Sequence, residues 1–248
     1  MNKVDKPRKN LIVVYLLFGL LVPTAVVLVL LTLSQHPAKL LPEPTVLLSD
    51  HFSSYNPGQL VGNDSTWTYV SSLPPNNNRK EFSHWIYTLG KIYHQPNIPA
   101  DYTPNPKLFL GSLVVAGQTD WDDYAFRVRA EPLGEEGFGL AFRYQNVNNF
   151  YRLVIEKDQV SSQIAARIDK EANGEVTTLT SRVDKVVIYQ AGDWYRLQLV
   201  ASGNSFKVSI DEQQILEVTD KSFPNGKVGL WAWKQSGVFF DDVLVTKI

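Results

Sequence analysis

The sequence of 248 residues contains no cysteine. This absence excludes a disulfide framework, a thiolate metal site, a cysteine nucleophile and a lipidated N-terminal cysteine. Basic residues are not in excess either. Four of the 24 basic and one of the 25 acidic residues lie in the first ten positions, which leaves 20 and 24 beyond them and a formal charge of −4 there. A chain with that balance presents no basic field for nucleic acid.

Charged residues are also absent from residues 11–33, an apolar run of 23 residues. At a helical rise of about 1.5 Å per residue, such a run crosses the hydrocarbon core of a bilayer, which is about 30 Å thick. The run is longer than the apolar region of a cleaved signal peptide, and no small-residue cleavage site follows it. We therefore expect one transmembrane helix that retains the chain in the lipid bilayer.

The flanks of this run predict which side of the membrane each part occupies. Residues 1–10 carry four basic residues and one acidic residue, whereas the segment after the run offers only Lys39 and Glu43. The basic end is expected to stay inside, so residues 1–10 form a cytoplasmic tail. A proline-rich linker, residues 34–46, then leads to residues 47–248, which we expect to form one domain in the periplasm or at the cell surface.

Short alternating segments separated by turn residues fill residues 47–248 and predict an all-β, two-sheet antiparallel sandwich. Proline- and asparagine-rich stretches flank residues 84–94, which we expect to form a single strand surrounded by loops. In three segments the alternation predicts that these side chains face the core: Tyr124, Phe126, Val128, Leu197, Leu199, Phe206, Val208 and Ile210.

Residues 137–158 predict a hairpin whose loop is the four residues 146–149. On one face this register pairs Tyr144 with Tyr151, Phe142 with Leu153 and Leu140 with Ile155, and that face belongs to the core. On the other face, Arg143 lies opposite Arg152 and Gly139 lies opposite Glu156. Two arginines in directly opposite positions repel each other unless an anion or a carboxylate lies between them.

The outward positions form one candidate ligand or partner face that is polar, cationic and aromatic. Its members are Arg127, Arg129, Arg143, Arg152, Glu156, Gln198, Trp231 and Trp233. In a sugar-binding interpretation, the tryptophans stack on sugar rings and the arginines bind hydroxyls or an acidic sugar. In a protein-binding interpretation, the same enrichment marks an interface. In a third interpretation the face is ordinary surface, with Arg129 paired to Glu156 and the tryptophans covered by the loop regions.

Several stretches resemble the concanavalin A-like jelly rolls, in particular laminin-G-like modules and related bacterial sugar-binding domains. They are "WDDYAFRVRAEPLGEEGFGLAFRYQNVNNFYRLVIE", "DWYRLQLVASGNSFKVSIDEQQI", "GKVGLWAW" and "VFFDDVLV". The resemblance implies a jelly-roll sandwich behind the N-terminal anchor. It implies little about activity, because this architecture serves lectins, glycosidases, adhesins and structural modules alike.

Hydrolases of this fold usually carry their acids on one strand as E-x-D-x-(x)-E, and this pattern is incomplete here. Glu156 and Asp158 are present, but Val160 and Ser161 occupy the positions where a third acid would stand. The four histidines show no metal-binding spacing. We therefore expect a non-catalytic protein, with a glycoside hydrolase or related carbohydrate-active enzyme as the alternative.

The last segment contains a change of phase. Val238 and Phe240 are separated from Val243 and Val245 by odd numbers of residues, so strict alternation cannot bury both pairs. A β-bulge at residues 241–242 would absorb the extra residue and bury all four side chains.

The resemblance also implies a metal ion, because related jelly rolls often hold a structural calcium ion between their first and last strands. In this sequence the resemblance places the candidate calcium ligands at Asp50 together with Asp241 or Asp242, whose carboxylates suit a hard cation. The alternative is a solvated bulge in which one aspartate accepts hydrogen bonds from backbone amides.

Together these observations predict a single-pass membrane protein whose outer domain is a recognition or assembly module. Its partners are the lipid bilayer and either a glycan or neighbouring subunits of a membrane complex, and the sequence does not choose between the last two.

The predicted topology is testable with protease added outside intact cells. The positive-inside distribution leads us to expect degradation of the β domain and protection of residues 1–10, measured with antibodies against each part. Protection of the β domain in intact cells would contradict the assignment.

Overall fold

The computed structural model of the chain describes residues 43–62, 66–71, 83–96, 111–135, 137–233 and 237–248. The chain divides into two compact units, Met1–Glu43 and Pro44–Ile248, and all of the strands in the described ranges belong to the second. The predicted transmembrane segment, residues 11–33, lies outside the described residues. Within the described ranges, no helix is both long enough and apolar enough to cross a bilayer.

Strands account for all of the regular secondary structure in the described ranges. In chain order they are β1 (Val46–Asp50), β2 (Thr68–Ser71), β3 (Ser83–Thr88), β4 (Lys91–Pro96), β5 (Ser112–Ala116), β6 (Tyr124–Pro132), β7 (Phe138–Asn146), β8 (Asn149–Lys157), β9 (Gln163–Ala172), β10 (Glu175–Ile188), β11 (Tyr195–Ser202), β12 (Ser205–Ile210), β13 (Gln213–Thr219), β14 (Lys227–Ala232) and β15 (Val238–Lys247).

These strands form two antiparallel sheets. Sheet A has the order β13-β12-β11-β6-β15-β4-β3, with β1 also paired to β15, and sheet B has the order β10-β9-β8-β7-β14-β5-β2. Several consecutive strands, such as β5, β6 and β7, alternate between the sheets, whereas β7 to β10 form a meander within sheet B. This connectivity is consistent with a jelly-roll sandwich and confirms the all-β, two-sheet antiparallel part of the predicted fold class.

The inner faces of the two sheets form the core that the alternation predicts. All eight side chains predicted to face inward from β6, β11 and β12 are 2% exposed or less. The intervening Arg127, Arg196 and Lys207 are exposed, as expected for the outer face of sheet A. Alternation therefore predicts the facing of these three strands correctly.

The predicted bulge in the last strand is present. In β15, Asp241 pairs with Arg129 and Leu244 pairs with Arg127, so two residues of β15 oppose one of β6. Asp242 has a φ of 52°, the left-handed conformation that accommodates the extra residue. Both apolar pairs are fully buried as a result, namely Val238 with Phe240 and Val243 with Val245.

The register of the β7–β8 hairpin differs from the predicted one. Its turn is tighter, because Asn146 already pairs with Asn149. A second bulge then follows in β7 between Phe142 and Asn146, where Arg143 has a φ of 49°. Beyond this bulge Phe142 pairs with Tyr151 rather than with Leu153.

This shift separates the two arginines that were predicted to face each other. Arg152 lies opposite Ala141, and Gly139 lies opposite Val154 rather than Glu156. The prediction of an Arg143–Arg152 cross-strand pair is wrong, because the bulge turns the Arg143 side chain away from the outer face of sheet B.

Residues 84–94 do not form the single strand that was predicted. They belong to a hairpin in which β3 and β4 pair in sheet A, with Trp85 opposite His94. Its turn is Leu89 and Gly90, which both have positive φ, at 27° and 75°. Two-residue turns with positive φ match the right-handed twist of the strands they join.

Gly226 packs directly against the β7 bulge, so its replacement tests that bulge. It has a φ of +146°, and a Cβ atom there would lie 2.3 Å from the Arg143 carbonyl carbon. We expect Gly226→Ala to lower the free energy of unfolding by about 3 kcal/mol, through overpacking and backbone strain. Denaturant unfolding of the full chain measures it.

Gly192→Ala is the matched control, because Gly192 has a φ of +88° but no atom within 4 Å of the added Cβ. Its cost should be that of backbone strain alone, about 1 kcal/mol. Equal losses in the two variants would show that the close approach of Gly226 to β7 is absent.

Candidate functional site

The structure divides the predicted ligand face between the two sheets and the interior. On the outer face of sheet A lie Arg127, Arg129 and Gln198. On the outer side of sheet B lie Arg152, Glu156, Trp231 and Trp233. Arg143 lies in the interior. The prediction of one shared face is wrong, because β6 and β11 belong to one sheet whereas β7, β8 and β14 belong to the other.

Arg143 is fully buried at one end of the sandwich. Its Nη2 atom donates a hydrogen bond to the Gly203 carbonyl oxygen at 3.2 Å and lies 3.7 Å from a carboxylate oxygen of Asp123. Its guanidinium lies over the Tyr124 ring, 5.6 Å from the centroid. Arg143 thus joins β7 to β6 and to the β11–β12 turn, and it does not face a ligand.

Arg152 is also buried, and a carboxylate neutralises it. Its Nε and Nη2 atoms each lie 3.1 Å from Oδ2 of Asp169, which is its cross-strand neighbour on β9. Burial lowers the pKa of Arg152, and the Asp169 carboxylate opposes this shift. Asp169 therefore supplies the negative charge that the sequence required near this arginine.

The Arg152–Asp169 ion pair is part of a longer network, which reaches Glu156 near the end of β8 through Arg167 on β9. Asp169 also accepts a hydrogen bond from Arg167 Nε at 3.2 Å and one from the Thr178 hydroxyl at 2.7 Å. Arg167 in turn donates to Glu156 at 2.5 Å. The predicted Arg129–Glu156 pair is therefore wrong, because the partner of Glu156 is Arg167, in the same sheet.

Trp231 points to the outer side of sheet B, as predicted from the alternation of β14. It is nevertheless only 1% exposed. It belongs to a second apolar cluster with Leu113, Ala141, Phe150 and Val154 among its members, and the Arg152 guanidinium lies 5.1 Å from its ring centroid. Trp231 is therefore a packed side chain and not an open stacking platform.

A cavity of about 340 Å³ lies at the end of sheet B, where β8 ends and β9 begins. Small-molecule sites span roughly 300 to 1,000 Å³, so this volume suits a small ligand. One aromatic ring and several polar or charged side chains line the cavity: Glu135, Gly137, Glu156, Lys157, Asp158, Gln159, Ala165 and Trp233. We take this cavity as the candidate site.

Backbone hydrogen bonds hold the lining of the cavity in place. The Trp233 N–H donates to the Gly137 carbonyl oxygen at 2.8 Å, and the Lys157 N–H donates to the Glu135 carbonyl oxygen at 3.0 Å. Asp158 accepts two hydrogen bonds at 2.7 Å, from the hydroxyl and the backbone N–H of Ser161. The strand ends and the β8–β9 turn therefore fix the positions of the polar groups.

The charged groups among the described lining residues have partners within the fold. Lys157 donates to Glu135, and Glu156 accepts from Arg167. The hydrogen bonds from Ser161 lower the pKa of Asp158. A general acid in glycoside hydrolysis needs a raised pKa, so the shift of Asp158 is in the wrong direction for that role.

Sequence reasoning placed Glu156 and Trp233 on the ligand face and named Asp158 only as part of an incomplete catalytic motif, and it did not select the other lining residues. Glu135, Lys157 and Gln159 lie in or beside turns, where solvated surface is the ordinary interpretation. A signal was available in "EKDQ", which places three charged residues and an amide at the end of a strand.

The outer face of sheet A carries a separate group of cations and aromatic rings. Trp194 has Arg129 at 4.6 Å and Lys91 at 4.7 Å from its ring centroid. Arg127 donates a hydrogen bond to Gln198 at 3.2 Å. These contacts join β4, β6 and β11 across the surface of the sheet.

Asp50 does not join the aspartates of the β15 bulge. Its carboxylate accepts hydrogen bonds from the Phe52 N–H at 2.8 Å and from the Tyr55 hydroxyl and Trp67 Nε1, each at 2.9 Å. These donors lie on the segment after β1, so Asp50 secures that segment. The prediction that Asp50 would group with Asp241 or Asp242 is therefore wrong, because the Asp50 carboxylate contacts the segment after β1 instead.

The bulge instead brings together His51, Asp241 and Asp242, with ligand atoms within 4.8 Å of one another. Asp242 accepts from His51 Nδ1 at 2.8 Å and from Arg129 at 3.0 Å. Burial acts to raise the pKa of Asp242, but these hydrogen bonds outweigh it and lower the pKa. The Asp242 N–H donates to Asp241 at 2.7 Å. A cationic partner and an imidazole do not fit calcium, which prefers oxygen ligands.

Calcium binding at this bulge stays a prediction, and thermal unfolding with calcium or with chelator tests it. A bound ion would raise the midpoint by mass action. Replacing both aspartates, as Asp241→Asn with Asp242→Asn, would then abolish the difference between the two conditions. Coincident unfolding curves of the unmodified chain would contradict calcium binding.

No protein-family model matches the sequence, and no curated protein matches it. Several solved structures are similar to this chain in fold. The carbohydrate-binding module CBM66 from Bacillus subtilis is 17% identical, with 75% of this chain and 98% of that chain covered and a TM-score of 0.56. A protein of unknown function with a galectin-like fold from Bacillus subtilis is 11% identical, with 82% and 96% covered and a TM-score of 0.53.

A family 16 glycosyl hydrolase protein from Mycobacterium smegmatis is 12% identical, with 81% of this chain and all of that chain covered (100%) and a TM-score of 0.51. At these identities the similarity concerns the fold alone. All three comparisons agree with the two-sheet jelly-roll sandwich.

Proposed function

We propose that this chain is a non-catalytic membrane-anchored protein whose jelly-roll domain lies outside the cytoplasm and binds a glycan in the cavity at the end of sheet B. The residues that line this cavity are the main support for glycan binding. The Trp233 indole packs against the apolar cluster of sheet B and also lines the cavity, where it can contact a sugar ring, and carboxylates, an ammonium and an amide can form hydrogen bonds with the sugar hydroxyls. Five of the eight described lining residues are polar or charged, so the cavity is more polar than the usual small-molecule site and suits a ligand rich in hydroxyls.

The folds of the solved structures support the same class of function. A carbohydrate-binding module and a galectin-like protein share the architecture, and so does a glycosyl hydrolase. Between binding and hydrolysis, the pairing of the cavity acids favours binding. Glu135 and Glu156 each contact a cation, and Asp158 is held by turn hydrogen bonds.

A protein partner is the second candidate, and the outer face of sheet A favours it. Trp194 and Phe239 are only partly buried there, next to Arg129 and Lys91. Aromatic residues and arginine are enriched in protein interfaces. In this alternative the chain is a structural subunit of a membrane complex, with the predicted helix beside other helices.

A glycan array probed with the full chain, in a detergent without a sugar headgroup, tests the proposal. We expect binding to at least one glycan, and we expect Trp233→Ala to weaken it about tenfold or more because the stacking face is removed. A tenfold loss corresponds to about 1.4 kcal/mol. Titration calorimetry with the bound glycan gives the dissociation constants.

Trp194→Ala is the matched control, since it removes a partly buried tryptophan from the other sheet. It should leave glycan binding unchanged. If no glycan binds and a pull-down in the same detergent recovers a stoichiometric membrane complex that Trp194→Ala disrupts, the protein-partner alternative replaces glycan binding.

A further inference from the structure

We infer that the cavity at the end of sheet B selects neutral or amine-bearing sugars and rejects carboxylated or sulfated ones. This inference rests on the proposed function and deepens it by naming the class of glycan. It differs from the sugar-binding interpretation of the sequence, in which arginines bind the hydroxyls of a sugar or an acidic sugar.

The charge of the lining is the first argument. Among the described residues, three carboxylates line the cavity, from Glu135, Glu156 and Asp158, and one ammonium, from Lys157, which gives these side chains a formal charge of −2. Counting Arg167, which contacts Glu156 from β9, the local charge is still −1. An anionic sugar in this cavity would approach more negative than positive groups, and like charges repel even at a partly exposed surface.

The availability of cations is the second argument. Recognition of a carboxylate or sulfate usually relies on an arginine fork or a free ammonium. On sheet B, however, Arg152 is buried against Asp169, and Arg167 contacts both Asp169 and Glu156. Lys157 contacts Glu135. Each of these cations is already partly neutralised by a carboxylate, so it attracts an anionic ligand less strongly than an unpaired cation would.

The chemistry of the acceptors is the third argument. An ionised carboxylate accepts hydrogen bonds and donates none, so it matches the hydroxyl or ammonium groups of a sugar. Asp158 is about half-buried and fixed by Ser161 at the cavity, and Glu135 lines the same cavity from the segment before β7. Both therefore present acceptor oxygens to the cavity that the Trp233 ring also lines.

The experiment compares matched glycans on the full chain in the same detergent. The probes are β-1,4-linked trisaccharides of glucose, glucosamine and glucuronic acid, together with a glycan array that contains neutral, amino and acidic sugars. We expect Trp233-dependent binding to neutral or amino sugars and at least tenfold weaker binding of acidic ones. This discrimination should shrink as the screening length falls from about 10 Å at 0.1 M salt to about 3 Å at 1 M.

A charge-neutralised variant tests the cause of the discrimination. Glu135→Gln with Asp158→Asn keeps the approximate size of both side chains and one carbonyl acceptor on each, while it raises the formal charge of the described lining residues from −2 to 0. We expect the preference for neutral over acidic sugars to fall about tenfold. Glu217→Gln is the control, because Glu217 is an acid of sheet A paired with Lys207, and it should change nothing.

The outcomes separate the inference from the proposed function. Acidic glycans that bind as tightly as neutral ones, in a manner that Trp233→Ala abolishes, would overturn the charge selection and leave glycan binding intact. Binding of no glycan that depends on Trp233 would overturn the proposed function and the selection with it. An unchanged preference in the charge-neutralised variant would also overturn the selection, since another feature would then be its cause.

Discussion

The bulge in β15 is the constraint on which the rest of the sandwich depends, because this strand pairs with β1, β4 and β6. One extra residue at positions 242–243 changes the phase of the strand and keeps both of its apolar pairs in the core. Burying an apolar side chain of this size contributes about 1.5–3 kcal/mol. Exposing two of the four would therefore remove several kcal/mol from a fold whose net stability is expected to be about 5–15 kcal/mol.

This bulge was predictable and the one in β7 was not, for a physical reason. In β15 the apolar residues occur in two incompatible phases, so only an extra residue reconciles them with one core. In β7, Phe142 faces the core and Tyr144 belongs to the apolar cluster on the outer side of sheet B. An apolar residue is acceptable in either place. The alternation of apolar residues along β7 therefore shows no conflict that would reveal the change of phase at Arg143. The available signal was in β8, where Phe150 and Val154 are apolar at outward positions.

The contact partners of the charged side chains could not be predicted from the sequence, because those partners are distant along the chain. Asp242 binds Arg129 across 113 positions, and Arg143 reaches Gly203 across 60. The requirement for a neutralising group near Arg152 was correct in principle, but the group is Asp169, which β9 places directly opposite. Since Arg129 and Arg152 pair with carboxylates within the fold and Arg143 is buried, we place the candidate chemistry open to a ligand at the strand ends and turns, where alternation does not predict side-chain position.

The buried ion pair connects the fold to the candidate site. Replacing a buried pair with apolar residues is often neutral for stability, so Arg152 and Asp169 are better understood through the register they impose. A slip of one residue between β8 and β9 would move Arg152 away from Asp169 and leave a charge in an apolar layer beside Trp231, which is strongly unfavourable. The same register sets where β8 ends, and hence where Lys157 and Asp158 enter the cavity. The buried charges of sheet B therefore determine the position of the accessible ones at its end.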